Sequence, residues 1–422
     1  MKSDLNNTLF KNILKLLSGE GIGRAIGFIT ALFVTRLYTP SDFGIFAVFT
    51  SLCVLYSPFC TLRYMLAIPL HSNEKVGINS LAASLLILVV NTLIISVIFI
   101  LFHPQILSVF DAESINAFWY FVPLSFFLYG AVEALSYYSI RYRDFSTIAE
   151  AAVIQSCSGA LTKIVLGLCR FNVMGLLTGH ILAAGAGLAL YLRTYWKRMK
   201  ESSRDVTYRK ICFVLKRYID FPLYRVPSQL LLNAGGSLPI LYFAWHFGSG
   251  TTGQISLAIT MLSVPVAVVC TSVGKAFYGE IASLGMKNRE DIFALTVQIM
   301  MRLFVISLVP CTLIVCFGPW IFQTFFGAEW ILAGTLAPYL CSYLGFRFVY
   351  SPISDGIFNV FEQQKLVFWL EVSRITIVTF SLLISYIYNF SVINTIAVYS
   401  FALTLQYIIS IMLVFYILRK DL

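Results

Sequence analysis

The sequence predicts an all-α, polytopic membrane protein with about twelve transmembrane helices in two six-helix lobes. Three observations carry that prediction. Of 422 residues, 59% are hydrophobic and 12% are charged. A soluble domain has about 45–50% apolar and about 25% charged residues, so this chain has too little polar surface for a water-soluble particle of its size. Long apolar stretches recur throughout, and spans of roughly 20 residues each would use most of the chain, leaving short loops and no second soluble domain. Lys and Arg fall almost entirely on alternate connections between those stretches, as the positive-inside rule requires. The same composition excludes disorder, collagen and a disulfide scaffold.

The spans are expected at 11–36, 44–68, 78–102, 116–140, 148–169, 172–193, 221–246, 252–274, 292–318, 331–354, 365–388 and 392–418. The first contains Glu20, Arg24 and Arg36 with no cleavage-type site after a clean apolar run, so it is expected to remain as a span. Its glycines fail as a dinucleotide fingerprint because no strand precedes them. Gly19, Gly23 and Gly27 instead form a small-xxx-small stripe that lets another helix approach. Tyr38 to Gly44 and Phe247 to Gly250 are tight turns before the second and eighth spans. The seventh span opens on Pro222 and Pro227 flanking Arg225, followed by Gly235, Gly236 and Pro239. Pro265, Pro338 and Pro352 interrupt later spans, which is tolerated where freed backbone groups meet water or neighbouring helices. Trp119, Tyr120, Trp245, Trp320, Trp330, Tyr350, Tyr388 and Tyr407 fall near expected interfaces, as an aromatic belt does. The longest polar stretch divides the chain into an N-lobe (1–193), a basic inter-lobe linker (194–220) and a C-lobe (221–422).

With the N-terminus inside, 22 of the 30 Lys and Arg residues fall in inner segments, and only Arg36 and Arg170 fall outside. Both termini are therefore expected on the cytoplasmic side. The inner set includes Arg63 and Lys75, and the central stretch from Arg193 to Arg217 supplies its largest group. The net charge of +10 is read as loop anchors facing anionic lipid headgroups, not as nucleic-acid binding. Eight of the nine cysteines lie in or beside apolar segments and Cys212 lies in a basic loop. There is no C-x-x-C pair and the four histidines are scattered, so no metal site and no cofactor are expected.

An internal repeat supports two lobes. Phe102-His103-Pro104 with Phe110-Asp111-Ala112-Glu113 recurs as Phe317-Gly318-Pro319 with Phe326-Gly327-Ala328-Glu329, at offsets of 215 and 216 residues. Gly44 and Gly253, opening the second and eighth spans, are 209 apart. Both members of each pair fall on the outer side, so the repeats are parallel about an axis along the membrane normal, with a central cavity expected between the lobes.

Six cations remain within predicted spans: Arg24, Lys163, Arg225, Arg302, Arg347 and Arg374. Facing lipid, each would cost roughly 2.5–3.5 kcal/mol on the insertion scale, so most should face a protein interior or a wet cavity. The clearest intramembrane acids are Glu20, Glu133 and Glu371, with Glu150 and Asp220 near span ends. Glu20 and Arg24 are spaced i,i+4 and Glu371 and Arg374 i,i+3, so each pair can close on its own helix face. The surplus of positive charge points to an anionic ligand, and the arginine fork suits phosphate oxygens. The six cations are the candidate substrate-binding set. Glu20, Glu133 and Glu371 are candidate proton carriers, since a low dielectric disfavours the charged carboxylate.

Several segments resemble the polysaccharide flippases, the Wzx-type O-antigen and capsule transporters of the multidrug/oligosaccharidyl-lipid/polysaccharide exporter superfamily. They are Thr35 to Gly44 (T-R-L-Y-T-P-S-D-F-G), Phe221-Pro222-Leu223-Tyr224 with Pro227, Phe247-Gly248 with Gly253, and Phe326-Gly327-Ala328-Glu329-Trp330. The resemblance implies an undecaprenyl-diphosphate-linked glycan as substrate, moved across the bacterial inner membrane by alternating access. Membrane lipids and polysaccharide-assembly proteins would be the other partners. Two alternatives stay open: an ion-coupled multidrug antiporter of the same fold, which would want a more acidic or apolar cavity, and a membrane polysaccharide polymerase or ligase. The second is an enzyme, and it would need a large outer loop and a nucleophile–base or metal constellation that the sequence does not display. A peptidoglycan-precursor flippase shares the diphosphate chemistry but typically has more than twelve helices.

Overall fold

The computed structural model describes residues 2–70, 73–284, 288–361 and 363–419. The side chains of Lys2, Lys11, Lys15, Glu20 and Lys275, together with Lys287 and Lys420, lie outside the described residues. The elements are α1 (Lys2–Leu37), α2 (Pro40–Tyr56), α3 (Glu74–Val109), α4 (Phe121–Arg141), α5 (Phe145–Leu168), α6 (Val173–Ser202), α7 (Tyr208–Arg217), α8 (Val226–Leu284), α9 (Arg289–Phe326), α10 (Ile331–Val360), α11 (Gln364–Ile387) and α12 (Val392–Arg419), with short 3₁₀ and π turns between them. No strand occurs among the described residues. Eight stretches are long and apolar enough to cross a membrane, and one of them, Phe221–Cys270, covers two spans.

The turn expected at Phe247 to Gly250 is one residue. Gly248 takes φ 80° and ψ 171° inside the 59-residue α8 and divides it into the seventh and eighth spans. Only glycine adopts that conformation readily. With α7 too short to cross, twelve spans result: α1 to α6, the two parts of α8, and α9 to α12. Gly248→Ala is expected to destabilise the protein by about 1–3 kcal/mol. Thermal unfolding in detergent measures it, and an unshifted midpoint would contradict this account of the turn.

Helices outrun their apolar centres. α3 has 36 residues and α9 has 38, about 55 Å each at 1.5 Å per residue, against a hydrocarbon core of about 30 Å. The second span does the reverse. α2 starts on a capping box, in which Thr39 Oγ1 accepts from the Asp42 amide and Asp42 accepts from the Thr39 amide, with Pro40 in the first turn. The helix ends at Tyr56, passes through Ser57–Phe59, and reverses at Leu62 (φ 46°) and Arg63 (φ 62°) before the 3₁₀ turn Tyr64–Leu70. Arg63, expected as an inner-loop anchor, therefore belongs to a broken span.

Two compact units divide the chain between Ser237 and Leu238, within the seventh span. The Asn233 side-chain amide donates to the Val54 carbonyl at 2.7 Å and to Ser57 Oγ at 3.1 Å, tying the start of α8 to the broken second span. The stretch 194–220 is also mostly helical, because α6 continues to Ser202 and α7 follows. It is fastened to α3: Asn79 bonds the Asp205 carbonyl and the Thr207 amide, and Lys75 pairs with Asp205 at 3.3 Å.

The repeat is visible in backbone geometry. α3 ends at Asp111 (φ 51°) before the 3₁₀ turn Glu113–Phe118, and α9 ends at Gly327 (φ 115°) before Ala328–Trp330. α5 and α11 likewise end on left-handed residues, Arg170 and Asn389, each followed by a phenylalanine whose amide bonds a carbonyl five residues back. Packing repeats as well: α3 lies on α4, α4 on α6 and α5 on α6 in one unit, and α9 on α10, α10 on α12 and α11 on α12 in the other. Of the glycine stripe on α1, Gly19 and Gly23 lie against Ala149, Ala152 and Ser156 of α5, while Gly27 faces open space.

Candidate functional site

In the first unit, the reversal at Leu62–Arg63 swings the Arg63 side chain against α4. Its Nη1 donates to Glu133 Oε1 at 3.1 Å, with the two side chains 16% and 34% exposed, and its Nη2 reaches Gln229 Oε1 at 3.4 Å. Gln229 in turn donates to Asn233 at 3.0 Å. A cavity of about 390 Å³ opens beside this network, lined by Arg63, Leu66, Leu70, Phe221, Arg225, Ser228 and Gln229. Arg225 ends the π turn Phe221–Arg225, which accommodates Pro222 and Pro227 and carries its side chain to the cavity wall. Among the described residues it has no hydrogen bond or ion pair.

Lys163, on α5, belongs to a separate cluster in the same unit. Its stem lies over Gly179, where an added Cβ would come within 2.5 Å of Lys163 Cγ. Its ammonium sits 4.7 Å from the Phe46 ring centroid, a cation–π arrangement. Phe46 also meets His180 edge-on at 5.7 Å, and Tyr129 stacks on His180 at 4.6 Å with its hydroxyl 3.2 Å from Nδ1. No carboxylate pairs with Lys163 among the described residues.

In the second unit, a cavity of about 420 Å³ lies between the second part of α8, α10, α11 and α12. Arg347, Asp355, Glu371 and Arg374 line it, with Tyr278, Tyr350 and Tyr407. Arg374 is held by Glu371 one turn away, as the i,i+3 spacing predicts. Arg347 and Asp355 have no hydrogen bond or ion pair among the described residues. Glu133 on the fourth span and Arg347 on the tenth are 214 residues apart, close to the repeat offset, so corresponding helices carry opposite charges.

The expected set is thus divided. Arg225 reaches one cavity, Arg347 and Arg374 reach another, and Lys163 lies under an aromatic ring. Arg24 is half-buried on α1, and its expected partner Glu20 is outside the described residues. Arg302 stands on an exposed apolar face of α9 with Val305, Ile306 and Val309, and lines neither cavity. Glu133 and Glu371, expected as proton carriers, each hold an arginine. Sequence reasoning missed Arg63 and Asp355. Arg63 falls within the expected span 44–68 but is counted with the inner loop that follows it, and Asp355 falls one residue past the expected end of the tenth span, although α10 runs on to Val360.

The comparisons fit this architecture. A search of curated proteins finds no match. Among solved structures, the lipid II flippase MurJ in an inward closed conformation is 13% identical, with 96% of this chain and 93% of that chain covered and a TM-score of 0.69. An inward-facing multidrug resistance MATE family transporter of the MOP superfamily is 15% identical, covering 97% and 96%, with a TM-score of 0.58. A MOP superfamily transporter from Pyrococcus furiosus, described as having a binding pocket of reverse polarity, is 16% identical over 96% of each chain, with a TM-score of 0.53. These likenesses establish the two-lobe, twelve-span fold. A model of the polysaccharide biosynthesis protein family matches residues 33–333, well over half of the sequence, and the chain belongs to that family.

Proposed function

We propose that the protein is a flippase for undecaprenyl-diphosphate-linked oligosaccharide units of O-antigen or another surface polysaccharide. It works in the bacterial inner membrane with both termini cytoplasmic, and it is a transporter rather than an enzyme. One observation carries the reading: Arg225 and Arg63 line one cavity, and among the described residues Arg225 has no hydrogen bond or ion pair. A cation kept in a membrane protein without a partner is expensive, and an anionic ligand offsets that expense. Arginine meets phosphate oxygens through a planar fork, so a diphosphate fits better than a cationic drug. Family membership supports a glycan on that diphosphate. Glu133 and Glu371 would couple transport to protons only by exchanging their arginine for a proton. Deleting the gene and locating lipid-linked repeat units tests the role. Build-up in the inner leaflet is expected; normal translocation with unpolymerised units outside would point to a polymerase or ligase instead.

A further inference from the structure

We propose that the cavity of the second unit is a sugar subsite, taking an uncharged pyranose residue of the carried glycan. This rests on the reading of the substrate as a saccharide linked to a polyprenyl diphosphate.

The polar lining is ordered. Arg347, Ser351, Asp355 and Asn359 recur every fourth residue along α10, and all four line the cavity. They form one stripe about 18 Å long on a single helix face. Lipid could not satisfy such a stripe on a membrane helix; water or a hydroxyl-rich ligand could. Asp355 is exposed to the cavity, with no hydrogen bond or ion pair among the described residues, so both of its oxygens can accept from neighbouring hydroxyls.

The remaining wall is aromatic. Tyr278, Tyr350 and Tyr407 line it, and the Tyr350 and Tyr407 rings sit 5.7 Å apart at 56°, an angled apolar surface rather than a closed stack. A pyranose ring has an apolar C–H face and a hydroxyl rim, and this wall and stripe offer a complement to each. The volume of about 420 Å³ is that of a small-molecule pocket, within the usual range of about 300–1,000 Å³. Formal charge favours an uncharged ring: Arg347 and Arg374 are balanced by Asp355 and Glu371.

Two probes test the subsite on purified full-length protein in nanodiscs: a short-chain polyprenyl diphosphate, and the same lipid carrying one N-acetylhexosamine. The sugar-bearing probe is expected to bind at least tenfold more tightly. Asp355→Ala, Asn359→Ala and Tyr407→Leu should each bring it towards the affinity of the bare diphosphate, whose own binding stays unchanged and reports correct folding. Equal binding of both probes by the unaltered protein, or variants that weaken both alike, would overturn the subsite. Binding of neither probe would overturn the lipid-diphosphate reading itself, and the subsite with it.

Discussion

Charge reversal at Arg225 is expected to slow transport of a diphosphate-linked lipid by roughly thirty-fold or more while leaving the chain folded. The guanidinium lies on a cavity wall and has no hydrogen bond or ion pair among the described residues, so Arg225→Glu breaks no pair among them. Its effect falls on the ligand. Removing one partner from a hydrogen-bonded charge pair costs about 2–5 kcal/mol, and reversal adds repulsion, so a loss of roughly thirty-fold or more is expected. Arg225→Lys keeps the charge but not the planar fork, and should retain part of the activity. Flipping rates in proteoliposomes, with thermal unfolding as the folding control, distinguish these outcomes. Undiminished flipping by Arg225→Glu would remove this cavity from the transport path.

Truncating Glu133 should act on stability first. Arg63 is the more buried member of the pair, and its bond to Glu133 is what allows a charge at that depth. Leaving a buried charge unpaired costs about 3–5 kcal/mol; partial exposure here reduces the expectation to about 2–3 kcal/mol. Glu133→Ala should therefore lower the thermal midpoint clearly, and Glu133→Gln less, because the amide oxygen still accepts. Replacing both Arg63 and Glu133 with methionine should recover most of the stability, since apolar residues of similar volume often substitute for buried pairs. Transport should not recover with it, because the first unit's cavity would then hold one arginine instead of two. An unchanged midpoint in Glu133→Ala would mean that the pair carries no structural load.

Much of the fold was legible because membrane spans are written in composition. The repeated ending at Phe110 and Phe326 was visible as residues, and the backbone shows why it repeats: a left-handed residue stops each helix. Sequence also placed Glu371 and Arg374 together, since an i,i+3 pair needs no tertiary information. Contacts between spans were not legible. Arg63 and Glu133 are 70 residues apart and meet only because two consecutive left-handed residues turn the chain. Asn233 looks like any polar residue in a span until its bonds to Val54 and Ser57 tie α8 to the broken second span. Asp355 fell outside its expected span because hydropathy marks where a helix is apolar, not where it ends.

The most direct test is reconstitution of the purified protein in liposomes with a labelled polyprenyl-diphosphate oligosaccharide, followed by measurement of its transfer between leaflets. Protein-dependent transfer that is lost in Arg225→Glu is the predicted result. Failure to move the lipid-linked saccharide, alongside export of cationic drugs by the same liposomes, would contradict it.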